Sequence, residues 1–160
     1  MIANLPTSLR AARLLALLVP LAALGGAYLG QYGFGLAPCE MCWWQRYPHF
    51  FALAIAALSF VRAPVRPLVA IAALGILASG LIGGYHAGVE LGWWKGLTEC
   101  TAMVSGSADP LAAIMKAPLV RCDVVQFAFL GISMAGWNFI ASTLSGLAIL
   151  GLVGSSRKAK

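Results

Sequence analysis

From Leu14 to Tyr32 the chain runs 19 residues without a charged side chain. At about 1.5 Å of rise per residue, a helix of that length nearly crosses a hydrocarbon core of about 30 Å. Three further uncharged runs follow, at Tyr47–Val61, Leu68–His86 and Val124–Val153. With 61% of residues apolar, 10% charged and a mean hydropathy of +0.86, a single domain of 160 residues has too little polar surface to cover its apolar surface in water. That balance excludes a water-soluble enzyme, a disordered tail and a collagen-like fibre. The expected fold class is an all-α integral membrane protein, a four-transmembrane-helix bundle forming one membrane domain over residues 1–160.

The expected spans are about 14–32, 45–61, 68–86 and 136–153. Arg10 and Arg13 before the first run also fit a cleaved signal peptide, with Ala23 and Gly25 as small residues near a cleavage site. The run continues past those residues, which favours a span. The second run is short unless Trp43 and Trp44 extend it as interfacial aromatics. Residues 62–67, with Pro64, Pro67, Arg62 and Arg66, form a hydrophilic hinge. The fourth run is 30 residues long, so either the helix tilts or its first part, from Val124 to Ala135, lies at the interface.

Arg10, Arg13, Arg62, Arg66, Arg157, Lys158 and Lys160 fall on one side of this scheme; Arg46, Lys95, Lys116 and Arg121 fall on the other. The positive-inside rule then puts both termini and the hinge in the cytoplasm, and the loops at about 33–44 and 87–135 outside. The formal charge of +6 is read as this topology signal and not as a nucleic-acid surface, because no basic stripe interleaves with aromatics. In the second outer loop, Asp109 and Pro110 ahead of Leu111, Ile114 and Met115 fit a short amphipathic helix on the membrane or an ordinary loop turn.

All four cysteines lie in the outer loops, Cys39 and Cys42 in the first and Cys100 and Cys122 in the second. An even count on the non-cytoplasmic side points to an oxidising compartment. Two structural disulfides would be the plain reading, but a bond within Cys39-Glu40-Met41-Cys42 closes so small a ring that it constrains the unfolded chain little. Redox activity is the better use of that pair. Zinc would need four ligands, and no second Cys-X-X-Cys or His-X-His accompanies the first, so no metal is expected. Cys42 lies near the start of the second span, and Arg46 is one turn further if the segment is helical; both favour a thiolate. Pro48 complicates this, since it could delay the helix start until after Arg46.

The segment Pro38-Cys39-Glu40-Met41-Cys42-Trp43-Trp44-Gln45-Arg46, before a short second span, resembles the DsbB family of bacterial membrane thiol oxidases. Phe129-Leu130-Gly131-Ile132-Ser133-Met134 with Trp137 is similar to the family's segment before its last span. The resemblance implies a bacterial inner-membrane enzyme that reoxidises a periplasmic DsbA-like thiol oxidase and passes the electrons to a membrane quinone, ubiquinone or menaquinone. Carried over by position, Cys100 receives the partner's thiolate and Cys122 resolves the mixed disulfide. Cys39 exchanges with the loop-two pair, Cys42 lies against the quinone ring, and Arg46 polarises the quinone and stabilises the thiolate.

His86, at the outer end of the third span, is a candidate quinone contact or proton donor, with an interfacial or capping histidine as the alternative. Asn138 is read as an interhelical hydrogen bond, and the glycines of the spans as sites of close helix packing. The expected partners are the DsbA-like oxidase, the quinone pool and the lipid bilayer. The rival function is a structural or transport bundle with two inert structural disulfides.

Overall fold

A computed structural model describes residues 5–97 and 120–156. Among them are four helices, α1 (Thr7–Gly33), α2 (Glu40–Leu58), α3 (Val65–Glu90) and α4 (Met134–Ser155), with a small antiparallel hairpin of β1 (Ala128–Phe129) and β2 (Ile132–Ser133). The fold is all-helical apart from that hairpin. Helices α1, α3 and α4 are long and apolar enough to cross a membrane. The expected second span falls on α2, and the amphipathic helix expected after Asp109 lies outside the described residues, as does Cys100.

The helices outrun the apolar runs, and local chemistry explains each end. Helix α1 takes Arg10 and Arg13 into its first two turns, and the buried Arg13 guanidinium sits 3.7 Å from the Phe60 ring centroid. Helix α2 starts at Glu40 because Cys39 caps it, its Sγ accepting the Cys42 amide at 3.2 Å. Pro48 therefore does not delay the helix; it lies inside α2. A proline deprives only the carbonyl four residues earlier of its N–H, and α2 continues because it packs along α1 and α3. Pro67 likewise falls in the first turn of α3, where the amide has no intrahelical partner to lose, so the hinge expected at 62–67 ends at Pro64.

The 30-residue apolar stretch divides at Ser133. Its side chain accepts the Gly136 amide at 3.1 Å and opens α4, while the preceding residues form loop and hairpin. Leu130 and Gly131 turn the hairpin with φ of 53° and 77°, the sense a two-residue turn requires, and Gly131 bears it without the strain that Leu130 carries. Trp137 Nε1 donates to the Phe129 carbonyl at 3.0 Å, tying the hairpin to α4.

Packing divides the bundle along its length. Near the hinge, Ala12, Ala16, Ala52, Ala56, Val69 and Ile149 belong to a dry core of small and branched side chains. Arg66 donates to the Ser156 carbonyl there, joining the start of α3 to the end of α4. At the opposite end Cys39, Met41, Val89 and Cys122 pack together. Between these clusters lie the buried polar side chains Gln45, His49, Ser79, His86 and Ser142. Helices α3 and α4 approach closely at this level because Gly83 has no side chain. A Cβ there would stand 2.9 Å from the Ala135 carbonyl oxygen and 3.0 Å from Asn138 Nδ2.

Candidate redox site

Because α2 is helical from Glu40, Cys42 and Arg46 lie one turn apart, as the spacing required. Cys39 and Cys42 are free thiols with their sulfurs 2.7 Å apart. The hydrogen bond to Cys42 and then burial hold the Cys39 thiol well above the ordinary thiol range. Cys39 is therefore the member of the pair that keeps a proton.

Cys122 is buried and disulfide-bonded. Its Sγ, the Cys39 Sγ and a ring nitrogen of His86 all lie within 4.8 Å of one another. Three such groups can in principle hold a metal ion, but a sulfur already in a disulfide is not a thiolate ligand, and a closed zinc site takes four donors. The arrangement suits sulfur exchange, for which an attacking and a receiving sulfur must first be neighbours. Beside it, the exposed Arg121 side chain donates through Nε to Asp123 at 2.9 Å, which holds the Asp123 carboxyl below its ordinary range.

Arg46 is buried. It donates to Gln31 Oε1 at 2.7 Å and to the Ala27 carbonyl at 3.3 Å, and its guanidinium lies 4.8 Å from the Trp43 ring centroid and 5.0 Å from that of Tyr28. Among the described residues no carboxylate pairs with it. A guanidinium has five N–H donors, so these two acceptors leave it capacity for a further acceptor.

A cavity of about 570 Å³ opens beside both groups. Apolar residues of α1 and α4, such as Ala23, Ala27 and Ala141, line it, while Cys42, Arg46 and His86 supply polar wall at the cysteine end. Volume and lining fit an apolar ring carrying a few oxygen acceptors, since small-molecule sites are mostly apolar clefts with a few placed polar groups. Of the site residues expected from sequence, Cys39, Cys42, Cys122, Arg46 and His86 come together here.

His86 is more central than its sequence position implied. Its Nε2 is 3.1 Å from the Cys122 carbonyl oxygen, 3.7 Å from Cys39 Sγ and 3.8 Å from Glu90 Oε1. Asn138 bridges helices as expected, through Gln45, Ser79 and His49. Gln45, His49, Ser79 and Ser142 received no role in the sequence reading. The available signal was the placement of polar side chains at i and i+4, Gln45 with His49 and Asn138 with Ser142, within otherwise apolar helices.

The sequence profile of the family described as disulfide bond formation protein DsbB matches residues 9–152. A disulfide bond formation protein B of Aromatoleum aromaticum is 36% identical over 146 residues, covering 83% of each chain. One from Polaromonas sp. is 30% identical over 143 residues, covering 84% of this chain and 83% of the relative. An uncharacterized protein of Rickettsia prowazekii is 26% identical over 141 residues, covering 84% and 81%. No solved structure gives a significant match. With a profile spanning the helices and both described cysteine segments, the chain belongs to the DsbB family and is a membrane protein of disulfide bond formation.

Proposed function

We propose that the protein is a quinone-dependent protein-disulfide oxidoreductase of the bacterial inner membrane. It crosses the bilayer four times with both termini in the cytoplasm, and it reoxidises a periplasmic DsbA-like dithiol oxidase. The observation that carries this reading is that one cysteine pair faces two ways. Cys39 Sγ neighbours the sulfur of Cys122, and Cys39 and Cys42 both line the cavity that Arg46 also lines.

The steps balance as two successive dithiol–disulfide transfers. A partner thiolate attacks Cys100, the bond to Cys122 breaks, and the electron pair leaves on Cys122. Cys122 then attacks Cys39, forming a Cys39–Cys122 bond and releasing Cys42 as a thiolate. The partner's second thiolate frees Cys100 and leaves the partner oxidised. Cys100 next attacks Cys122, restoring the loop-two disulfide and releasing Cys39. Cys42, Arg46 and His86 would hold a quinone in the cavity, which would supply a sink for the two electrons and two protons that Cys39 and Cys42 give up on returning to the disulfide. Arg46 would stabilise negative charge on the Cys42 sulfur and on an acceptor oxygen.

Cys122→Ser tests the order of events. The Cys100 thiolate then attacks the disulfide of an oxidised DsbA-like partner, whose second sulfur leaves as a thiolate, and with no Cys122 to resolve it the mixed disulfide accumulates; Cys100→Ser accumulates far less. Equal trapping by the two variants, or none, contradicts the assignment. Mass identification of a quinone co-purifying with the wild type, and its loss in Arg46→Met, tests the acceptor. Inert disulfides would trap no partner and retain no quinone.

A further inference from the structure

A buried chain of amides fixes which nitrogen of His86 carries its proton. Asn138 Nδ2 faces the Ser79 backbone carbonyl at 3.1 Å, an acceptor that cannot donate, so the Asn138 amide can point only one way. Its Nδ2 therefore also donates to Gln45 Oε1 at 2.9 Å, while Oδ1 accepts from Ser142 Oγ at 2.8 Å. Gln45 is fixed a second time from its other end, since Nε2 donates to the Met41 carbonyl at 3.1 Å. The same Nε2 lies 2.8 Å from His86 Nδ1, which must accept. The proton of a neutral His86 is thus on Nε2, facing the Cys122 carbonyl at 3.1 Å and Cys39 Sγ at 3.7 Å. Gln45 and His86 are both buried.

We infer that Gln45 is a positioning residue that holds His86 in its Nε2–H form, so that this N–H stabilises the Cys39 sulfur as it leaves Cys122. The inference rests on the proposed exchange between Cys39 and Cys122. When Cys100 attacks Cys122, the Cys122–Cys39 bond breaks and its electron pair goes to Cys39, which is born as a thiolate in a buried site. An N–H already within reach of it, shared with the Cys122 carbonyl, lowers the barrier without moving a proton. In the other tautomer a lone pair would face both that thiolate and the Cys122 carbonyl.

Two readouts in the full-length protein test this. The first is the ¹⁵N spectrum of histidine-labelled protein, which has only His49 and His86 to assign, with His86→Asn identifying the second. The parent should show His86 protonated at Nε2 and bare at Nδ1. Gln45→Glu puts an acceptor where the donor was, and the proton should move to Nδ1. The second readout uses Cys42→Ser, in which the single remaining disulfide shuttles between Cys39–Cys122 and Cys100–Cys122. Acid quench, alkylation and mass analysis give the rate at which Cys39 is released. Gln45→Glu should slow it by about ten- to a hundredfold, the range of one charge-assisted hydrogen bond. In His86→Ala, which lacks the ring, Gln45→Glu should add no further slowing.

A parent carrying its proton on Nδ1 overturns the inference, and that measurement needs no variant. So does a moved proton with an unchanged rate, an unmoved proton, or an equal slowing in the His86→Ala background. If Cys39–Cys122 never forms in Cys42→Ser, the proposed electron path fails and takes the inference with it. If it forms at normal rates whatever stands at position 45, the path survives and only the role of Gln45 is lost.

Discussion

The two halves of the bundle bury opposite kinds of side chain. Toward the hinge, among the described residues, alanines and branched residues pack around few polar contacts: Arg13 on Phe60, Arg66 on the Ser156 carbonyl, and serines that bond back to their own helix carbonyls. Toward the cysteines, Gln45, His49, Ser79, His86, Asn138 and Ser142 form one connected hydrogen-bonded set across three helices. Buried polar groups are costly unless every partner is in place, so the second half fixes positions that an apolar core would leave free. The dry half holds the helices together, and the polar half aims side chains at sulfur. Substitutions in the first should change stability, and those of the polar side chains in the second should change chemistry.

The largest contrast is expected at Cys42. Cys42→Ser should abolish quinone-dependent turnover while leaving the thermal transition of the purified protein nearly unmoved, because Cys42 is only partly buried and serine retains its shape. In the dry half the order reverses. Ile149→Ala opens a cavity at a fully buried position, which should cost about 2 to 5 kcal/mol of stability, with turnover per folded molecule unchanged. Denaturation followed alongside single-turnover kinetics separates the two quantities.

Arg46→Met tests whether the cation serves chemistry or topology. Loss of one well-placed charge stabiliser should slow quinone reduction by about a hundredfold, with dithiol exchange between the loops much less affected. Stopped-flow traces of quinone absorbance and of partner oxidation report the two steps separately. The wild-type rate in Arg46→Met would assign Arg46 to the membrane interface alone.

A smaller effect is expected where the polar half is most tightly closed. Gly83→Ala would press a methyl group against the Ala135 carbonyl and the Asn138 amide, and should cost about 1 to 3 kcal/mol. Gly25→Ala, with no atom within 4 Å of its added carbon, should lie within about 0.5 kcal/mol of wild type. Thermal shifts in one detergent compare the pair.

Much of this division is already legible in the chain. The uncharged runs located each helix, because apolar length is what a bilayer selects for. Their ends were less legible, since capping by Cys39 and Ser133 and the tolerance of α2 for Pro48 depend on single hydrogen bonds and neighbouring helices. Cys39, Cys42 and Arg46 stood out by spacing. His86 was visible, but its neighbours Cys39 and Cys122 are 47 and 36 residues away in sequence, and it takes the packing of α2 on α3 and the return of the segment before β1 to bring them together. Gln45 and His49 were harder still. A polar residue in an apolar helix signals a partner, yet the partner, here Asn138, lies on another helix that periodicity cannot identify.

We propose that the polar half carries electrons from thiols to a quinone. That proposal is tested most directly by reducing the purified four-cysteine protein, removing the reductant and counting free thiols before and after excess quinone is added. The predicted result is loss of the Cys39 and Cys42 thiols with formation of an equivalent amount of quinol, followed by slower loss of the loop-two thiols through exchange. Thiol counts that stay constant with quinone present, in protein that remains folded, would contradict it.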